Sequence, residues 1–497
     1  MEVSFKKRDF TCLEQVLSQV QNMEQTQEIR IPEGMPEMGR ILCCWGQPVL
    51  RGKEWRRDEV SLSAGMTVWV LYLPEEGGSA QCIQSWLPFQ FRWDIPEDCA
   101  EGTARMLCLT RSVDARLVSA GKISVRGCLS ALAEIWCPVT RQVSQPENVP
   151  EDLELLQRDY PLRLPKEAGE KTFRMEENLT LPGSAPRVER LIWFRMDPQV
   201  TDSRILGGKL VFRGNGNGRM LYEAPDGQLH SWEFELPFSQ YAELKDSYGA
   251  DAQASVIPAV TGLEAELGEE GIQLRAELTG QYMVDDRTML TLPEDAYIPG
   301  GELTMQREMV EIPALLDSRR ENIYGEQTIP LEGDLVVDAT LLPDFPRQRG
   351  SGEDMVMELP GNLQMLYYDT EGQLQSSTQR WENSYPLPLD DTAVLSALPS
   401  GGIQTRATTG NGEMTVKTTQ PMDMTTMSGQ GLPVITSLTM PERREPDPAR
   451  PSLILRRAEG SLWETAKQSG STVDAIRQAN GLEKEPVPGQ MLLIPVI

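Results

Sequence analysis

The sequence predicts a mainly β protein: three tandem antiparallel sandwich- or barrel-like modules, the third degenerate, and a small β-α-α-β domain after them. Three observations predict it. Leu71-Tyr72, Leu221-Tyr222 and Leu366-Tyr367 are each followed, five residues after the tyrosine, by a glycine with an acid before it: Gly77, Gly227 and Gly372. A strand running into an acidic glycine turn is a hairpin signal. Pro48, Pro198 and Pro343 each precede their tyrosine by 24 residues, and a spacing held over that length marks an internal repeat. Finally, 112–127 (SVDARLVSAGKISVRG), 262–277 and 402–418 each read as a closing hairpin. In the first of these, Val113, Ala115 and Leu117, then Ile123 and Val125, alternate onto one face.

The elements follow in order. Residues 1–140 form the first module, with an N-terminal helix because DFTCLEQVLSQVQNM (9–23) reads as amphipathic. Residues 141–286 form the second, where 146–160 reads as a short, weaker helix, and 287–438 form the degenerate third. Compositional linkers are expected at about 140–170 and 287–325. Four prolines and charges of both signs make 439–451 an extended, semi-rigid tether. In the last domain, 452–497, residues 452–458 open as a strand and Ser461-x-x-Glu464 is a capping box. Trp463 and Ala466 are expected to face inward. A second helix starts at Ser471-Thr472, with Val473, Ile476 and Ala479 toward the core and Gly481 at its exit. GQMLLIPV closes the domain as a strand.

Composition narrows the function. Lys plus Arg (47) against Asp plus Glu (74) gives a net charge of −27, which repels phosphate backbones and anionic headgroups, so nucleic acid and membrane surfaces are poor partners. No signal peptide or membrane-spanning stretch is legible, which predicts a cytosolic protein. A single histidine, His230, excludes His-rich metal sites and reads as a half-exposed strand residue. Eight cysteines, none in a Cys-x-x-Cys pair, read as buried reduced thiols. GNGNGR (214–219) reads as a flexible turn, and no phosphate-loop motif is present. No catalytic, cofactor-binding or metal residue is assigned. Trp45, Trp69, Trp86 and Trp93 read as core. Trp55, Arg56 and Arg57, a basic cluster on an acidic chain, are a candidate interface for an acidic partner, with a solvated hairpin turn as the alternative.

Two resemblances add to this reading. Ser461-Leu462-Trp463, Ser471-Thr472-Val473-x-x-Ile476, Ala479-Asn480-Gly481-Leu482 and Pro488-Gly489-Gln490-x-Leu492-x-Ile494-Pro495 resemble a LysM domain. Glu459-Gly460 stands where that family carries Gly-Asp, and the first-strand aromatic is missing around Ile454. The resemblance implies a groove lined by Gly460, Ser461 and Leu462 from one loop and Asn480, Gly481, Pro488, Gly489 and Gln490 from the other side. Segments 31–77 and 181–200 resemble the SPOCS domain of spore coat proteins. SPOCS copies followed by a C-terminal LysM domain resemble the SipL family of spore morphogenesis proteins. That resemblance implies a non-enzymatic coat scaffold made in the mother-cell cytoplasm and recruited to the outer forespore surface and spore coat. There the LysM domain docks to a SpoIVA-like coat-basement ATPase. The alternatives are binding of N-acetylglucosamine-containing cortex glycan and, last, an enzyme.

Overall fold

A computed structural model describes residues 3–497 apart from 98, 100, 270, 332, 391–392, 411, 429–430 and 441–450. A six-strand pattern repeats along it. The first module runs β1 (Phe5–Arg30), β2 (Met38–Trp55), β3 (Glu59–Pro74), β4 (Gln81–Asp94), β5 (Thr103–Ser119) and β6 (Lys122–Pro146). Its strands form two antiparallel sheets, an inner β2-β3-β4 and an outer β1-β6-β5. The second runs β7 (Glu154–Leu179), β8 (Arg190–Leu206), β9 (Lys209–Glu223), β10 (Leu229–Glu243), β11 (Gln253–Leu267) and β12 (Ile272–Tyr297), with the same two sheets, β8-β9-β10 and β7-β12-β11.

The third module keeps the plan with its outer strands interrupted. It comprises β13 (Thr304–Glu311), β14 (Leu315–Pro330), β15 (Leu335–Pro343), β16 (Arg347–Arg349), β17 (Val356–Tyr368), β18 (Leu374–Pro386), β19 (Ala393–Pro399), β20 (Gln404–Gly410), β21 (Glu413–Ser428) and β22 (Gly431–Thr439). β15-β17-β18 is the inner sheet, and β14-β21 with β19 and β20 the outer one. β13 and β22 form the prolongation that β1-β6 and β7-β12 reach without a break. Its degeneracy thus lies in sequence and strand continuity; the topology is retained.

The turns that announced the repeat sit where the spacing puts them. Gly77, Gly227 and Gly372 close the β3-β4, β9-β10 and β17-β18 hairpins with φ of 83°, 80° and 73°, a left-handed conformation that costs glycine little. The tyrosines beside them, Tyr72, Tyr222 and Tyr367, are buried.

Each module's first inner strand packs on a neighbouring module, which closes a three-membered ring. β2 lies on β11, β15 on β5, and the side chains of Asp197 and Gln199 on β8 fill the space over Gly402 and Gly401. Buried polar groups tie the ring. Trp45 of the first module donates to Asp338 of the third (3.1 Å), which Arg219 of the second also engages (2.8 Å). Glu134 accepts from Arg105 (2.6 Å) in its own module and from Ser396 of the third (2.7 Å), while Arg105 reaches Ser255 of the second (3.2 Å). A buried carboxylate satisfied on several sides fixes register as well as contact.

Beyond the ring, the far ends of β1-β6 and β7-β12 come together with β13-β22 into a stalk. Its apolar layers draw on all three modules: Cys12, Val143, Leu164, Leu290, Leu292 and Val434 in one, then Val3, Leu153, Ala296, Ile435 and Leu438.

Several expectations are corrected here. Residues 9–23 are strand, paired with β6 through the register Phe5↔Pro146 to Arg30↔Lys122, so the N-terminal helix does not form. Residues 146–160 are a turn followed by the start of β7, and the linkers expected at 140–170 and 287–325 are mainly stalk and sheet strands. GNGNGR is the middle of β9, not a turn. An added Cβ at Gly214 would meet the Gln199 carbonyl oxygen at 2.0 Å, and one at Gly218 the Phe234 ring at 2.1 Å. The alternate glycines are thus vacant pockets for neighbouring groups on a central strand. Cys99 and Cys137 are disulfide-bonded, with Cα atoms 5.5 Å apart, against the expectation of reduced thiols throughout. The other six are free, and burial pushes Cys82 and Cys108 up to about 12, leaving their thiols protonated and unreactive. No helix among the described residues is long and apolar enough to cross a membrane.

Candidate functional site

The C-terminal unit runs β23 (Leu453–Arg457), α1 (Leu462–Ser469), α2 (Val473–Asn480) and β24 (Met491–Pro495), with β23 and β24 antiparallel. Local chemistry sets both helices. Ser461 accepts from the Glu464 backbone N–H while the Glu464 carboxylate accepts from the Ser461 N–H, the reciprocal capping box the sequence announces. Thr472 caps α2 through the Ala475 N–H, and Gly470 and Gly481 end the helices with φ of 65° and 60°. Ala458, Leu462, Ala466, Ile476, Leu492 and Ile494 form the core. Ala479, expected inward, is exposed.

Two loops come side by side. The Ala458 N–H donates to the Gln490 carbonyl (2.8 Å) and the Gly489 N–H returns to the Ala458 carbonyl (3.0 Å). The first N–H of α1, on Leu462, donates to Glu485 Oε2 (2.9 Å); a carboxylate there suits the positive end of the helix dipole. Gly460, Ser461, Pro488, Gly489 and Gln490 are therefore adjacent and exposed, a shallow groove of backbone and short polar groups.

The other assigned groove residues have structural work. Leu462 is core. The Asn480 amide nitrogen donates to Ile476 O (2.8 Å) and Leu493 O (2.6 Å), and its oxygen accepts from Leu493 N (2.8 Å), so the amide links α2 to β24. Gly481 is exposed but serves as the helix exit. Glu485, which ties the two loops together, was missed; nothing in its flanking sequence, EKEPVPG, sets it apart from Glu483.

The unit is seated on the stalk. Trp463, expected in the unit's own core, meets the Tyr297 ring edge-on with centroids 4.8 Å apart, and its Nε1–H donates to Asp295 Oδ2 (2.8 Å). Lys467 and Arg307 both reach Asp295 (2.7 and 2.8 Å), and the Tyr297 hydroxyl donates to the Ser471 carbonyl (3.0 Å). Burial alone would raise the Asp295 carboxyl, but the bonds from Lys467 and Trp463 outweigh it and hold it below the usual carboxylate range. The tether read at 439–451 falls mainly on residues 441–450, outside the described ones.

Trp55, Arg56 and Arg57 lie apart from this groove, at the β2-β3 hairpin end of the ring. Arg56 N–H closes the hairpin on the Glu59 carbonyl (2.8 Å). Arg56 faces Glu54 at 3.5 Å and Arg57 faces Glu97 at 3.1 Å, all four side chains at least 64% exposed. Each arginine thus has its own acid, and the Trp55 ring lies over Gly102. The cluster sits at a solvated hairpin end.

A family model described as "SipL, SPOCS domain" matches residues 187–267, from just before β8 to the end of β11. No curated protein and no solved structure matches the chain significantly.

Proposed function

We propose that this chain is a non-enzymatic scaffold of spore coat morphogenesis, acting from the mother-cell cytoplasm at the outer forespore surface. In this reading its C-terminal unit is a LysM domain that docks to a SpoIVA-like ATPase. The observation that supports it most is the SPOCS match in one of three modules with a common topology, on a chain that ends in a β-α-α-β unit. The adjacent exposed loops around Ser461 and Gln490 are then the docking surface.

The same groove, with its exposed short polar side chains, also suits a sugar chain, and N-acetylglucosamine-containing cortex glycan is the second reading. The two separate in one experiment. Full-length protein and a Ser461→Arg/Gln490→Arg variant are titrated against the purified ATPase, N-acetylglucosamine oligomers and cortex peptidoglycan. Docking requires micromolar or tighter binding to the ATPase, lost in the variant, with no glycan signal. Glycan binding without ATPase binding would replace it with the second reading.

A further inference from the structure

The three outer sheets carry the same surface lattice, and one of them has changed sign. On the exposed face of each, a cation stands on the central strand: Arg126 on β6, Arg275 on β12 and Lys417 on β21. Cross-strand register identifies its neighbours. In the first module Arg126 is flanked by Thr26 and Asp114, and the adjoining row is Glu24, Cys128 and Ser112. Asp114 (2.8 Å) and Glu24 (3.8 Å) neutralise the cation. In the second, Arg275 is flanked by Glu176 and Glu264, and the adjoining row pairs Arg174 with Glu277 (2.7 Å).

In the third module Arg406 stands in place of the acid, opposite Lys417, and the adjoining row is Tyr324, Thr419 and Gln404. Glu326 offsets Lys417 (3.4 Å), while Arg406 is exposed and has no ion pair among the described residues. Tyr324 is 72% exposed, more than any other described large apolar side chain. These residues line one shallow groove of about 440 Å³ across β14, β21 and β20. The first copy presents a cation paired to two acids and the second an arginine with a glutamate opposite it on each neighbouring strand; this one presents a second cation in place of the acid, with an open aromatic ring, an amide and a hydroxyl beside it.

We propose that this face of the third module binds an anionic glycan. A sugar ring stacks on Tyr324, its hydroxyls bond to Gln404 and Thr419, and its carboxylate or phosphate meets Arg406. An exposed ring beside planar hydrogen-bonding groups suits a flat, hydroxylated ligand. A local positive field on a chain of net charge −27 selects one that is anionic. The proposal is independent of the C-terminal groove, which these residues do not touch.

The test uses the full chain with polygalacturonate as the acidic sugar polymer, neutral dextran, and poly-glutamate as an acidic polypeptide. Tyr324→Ala and Arg406→Glu are compared with Arg174→Ala on the second module's face. Arg406→Glu restores the acid that Asp114 and Glu264 supply in the other copies, so the fold has already accommodated that charge pair. The expected result is salt-sensitive binding of polygalacturonate alone, weakened about tenfold by each third-module variant and unchanged by Arg174→Ala. Absence of binding by the unaltered chain overturns the proposal. Equal binding of poly-glutamate, with Tyr324→Ala behaving as the unaltered chain, also overturns it, because the face then reads charge and not sugar.

Discussion

Asp295 shows how much can rest on one side chain. It collects Trp463, Lys467 and Arg307, and its carboxyl is held below the usual range. A carboxyl depressed in the folded state contributes stability above its unfolded value of about 3.9 and loses it as pH falls through the folded value. Hydrogen-exchange protection of α1 should therefore fall in acid, below about pH 4. Asp295→Asn should weaken the seating at neutral pH by roughly 1.5–3 kcal/mol, the range for hydrogen bonds to a charged group, and flatten its acid dependence. Protection in α1 that ignores both the variant and the pH would show that the contact contributes nothing. Gly218 makes the opposite point, since its value lies in what it lacks. With the Phe234 ring 2.1 Å from where a Cβ would stand, Gly218→Ala should cost about 1–3 kcal/mol by overpacking, seen as a lower urea midpoint. An unchanged midpoint would mean the ring moves aside freely. Neither residue was legible as important. Composition places Asp295 in a linker although Leu290 and Leu292 just before it alternate as a strand, and it suggests freedom at glycines that in the fold provide room.

Hairpins were legible and long strands were not, for a physical reason. A hairpin declares itself locally through a glycine turn, and the turns at Gly77, Gly227 and Gly372 formed as spaced. A strand such as β1 takes its conformation from a partner between 92 and 141 residues away. Leu13, Val16, Leu17 and Val20 stand at i, i+3, i+4 and i+7, the signature of an amphipathic helix. In the structure β1 carries a register shift between Gln15 and Leu17 as it passes from stalk to outer sheet, and that shift breaks the alternation that would have marked a strand. The Cys99–Cys137 link is equally non-local, joining the loop after β4 to β6 across 38 residues. In the chain-entropy description a closure of that length stabilises by about 3–4 kcal/mol. Reductant should lower the urea midpoint of the unaltered protein and leave that of Cys99→Ala unmoved. Equal midpoints with and without reductant would mean the pair is not bonded in solution.

The repeat has its largest consequence for how the molecule holds together. Three modules read from sequence as beads on linkers are, in the structure, a closed ring and a shared stalk. Arg219, Trp45 and Asp338 come from three different modules, as do the side chains of each stalk layer. Removing one module leaves buried charges without partners and apolar arms without cover, which is costly in a way that loss of a separate domain is not. The C-terminal unit differs, because it has its own core and meets the stalk mainly through Trp463, Lys467, Ser471, Asp295 and Tyr297. Two truncations separate these cases. A chain ending at residue 440 should keep the association state of the full protein and melt cooperatively within about 5 °C of it, having lost only the seating contacts. A chain ending at residue 300 keeps two modules intact in sequence but leaves Arg219 without Asp338 and uncovers Leu290, Leu292 and Ala296. It should give no cooperative transition by calorimetry and should associate in sedimentation. A sharp transition from the shorter chain would mean the modules fold as independent units and that the ring is packing without interdependence.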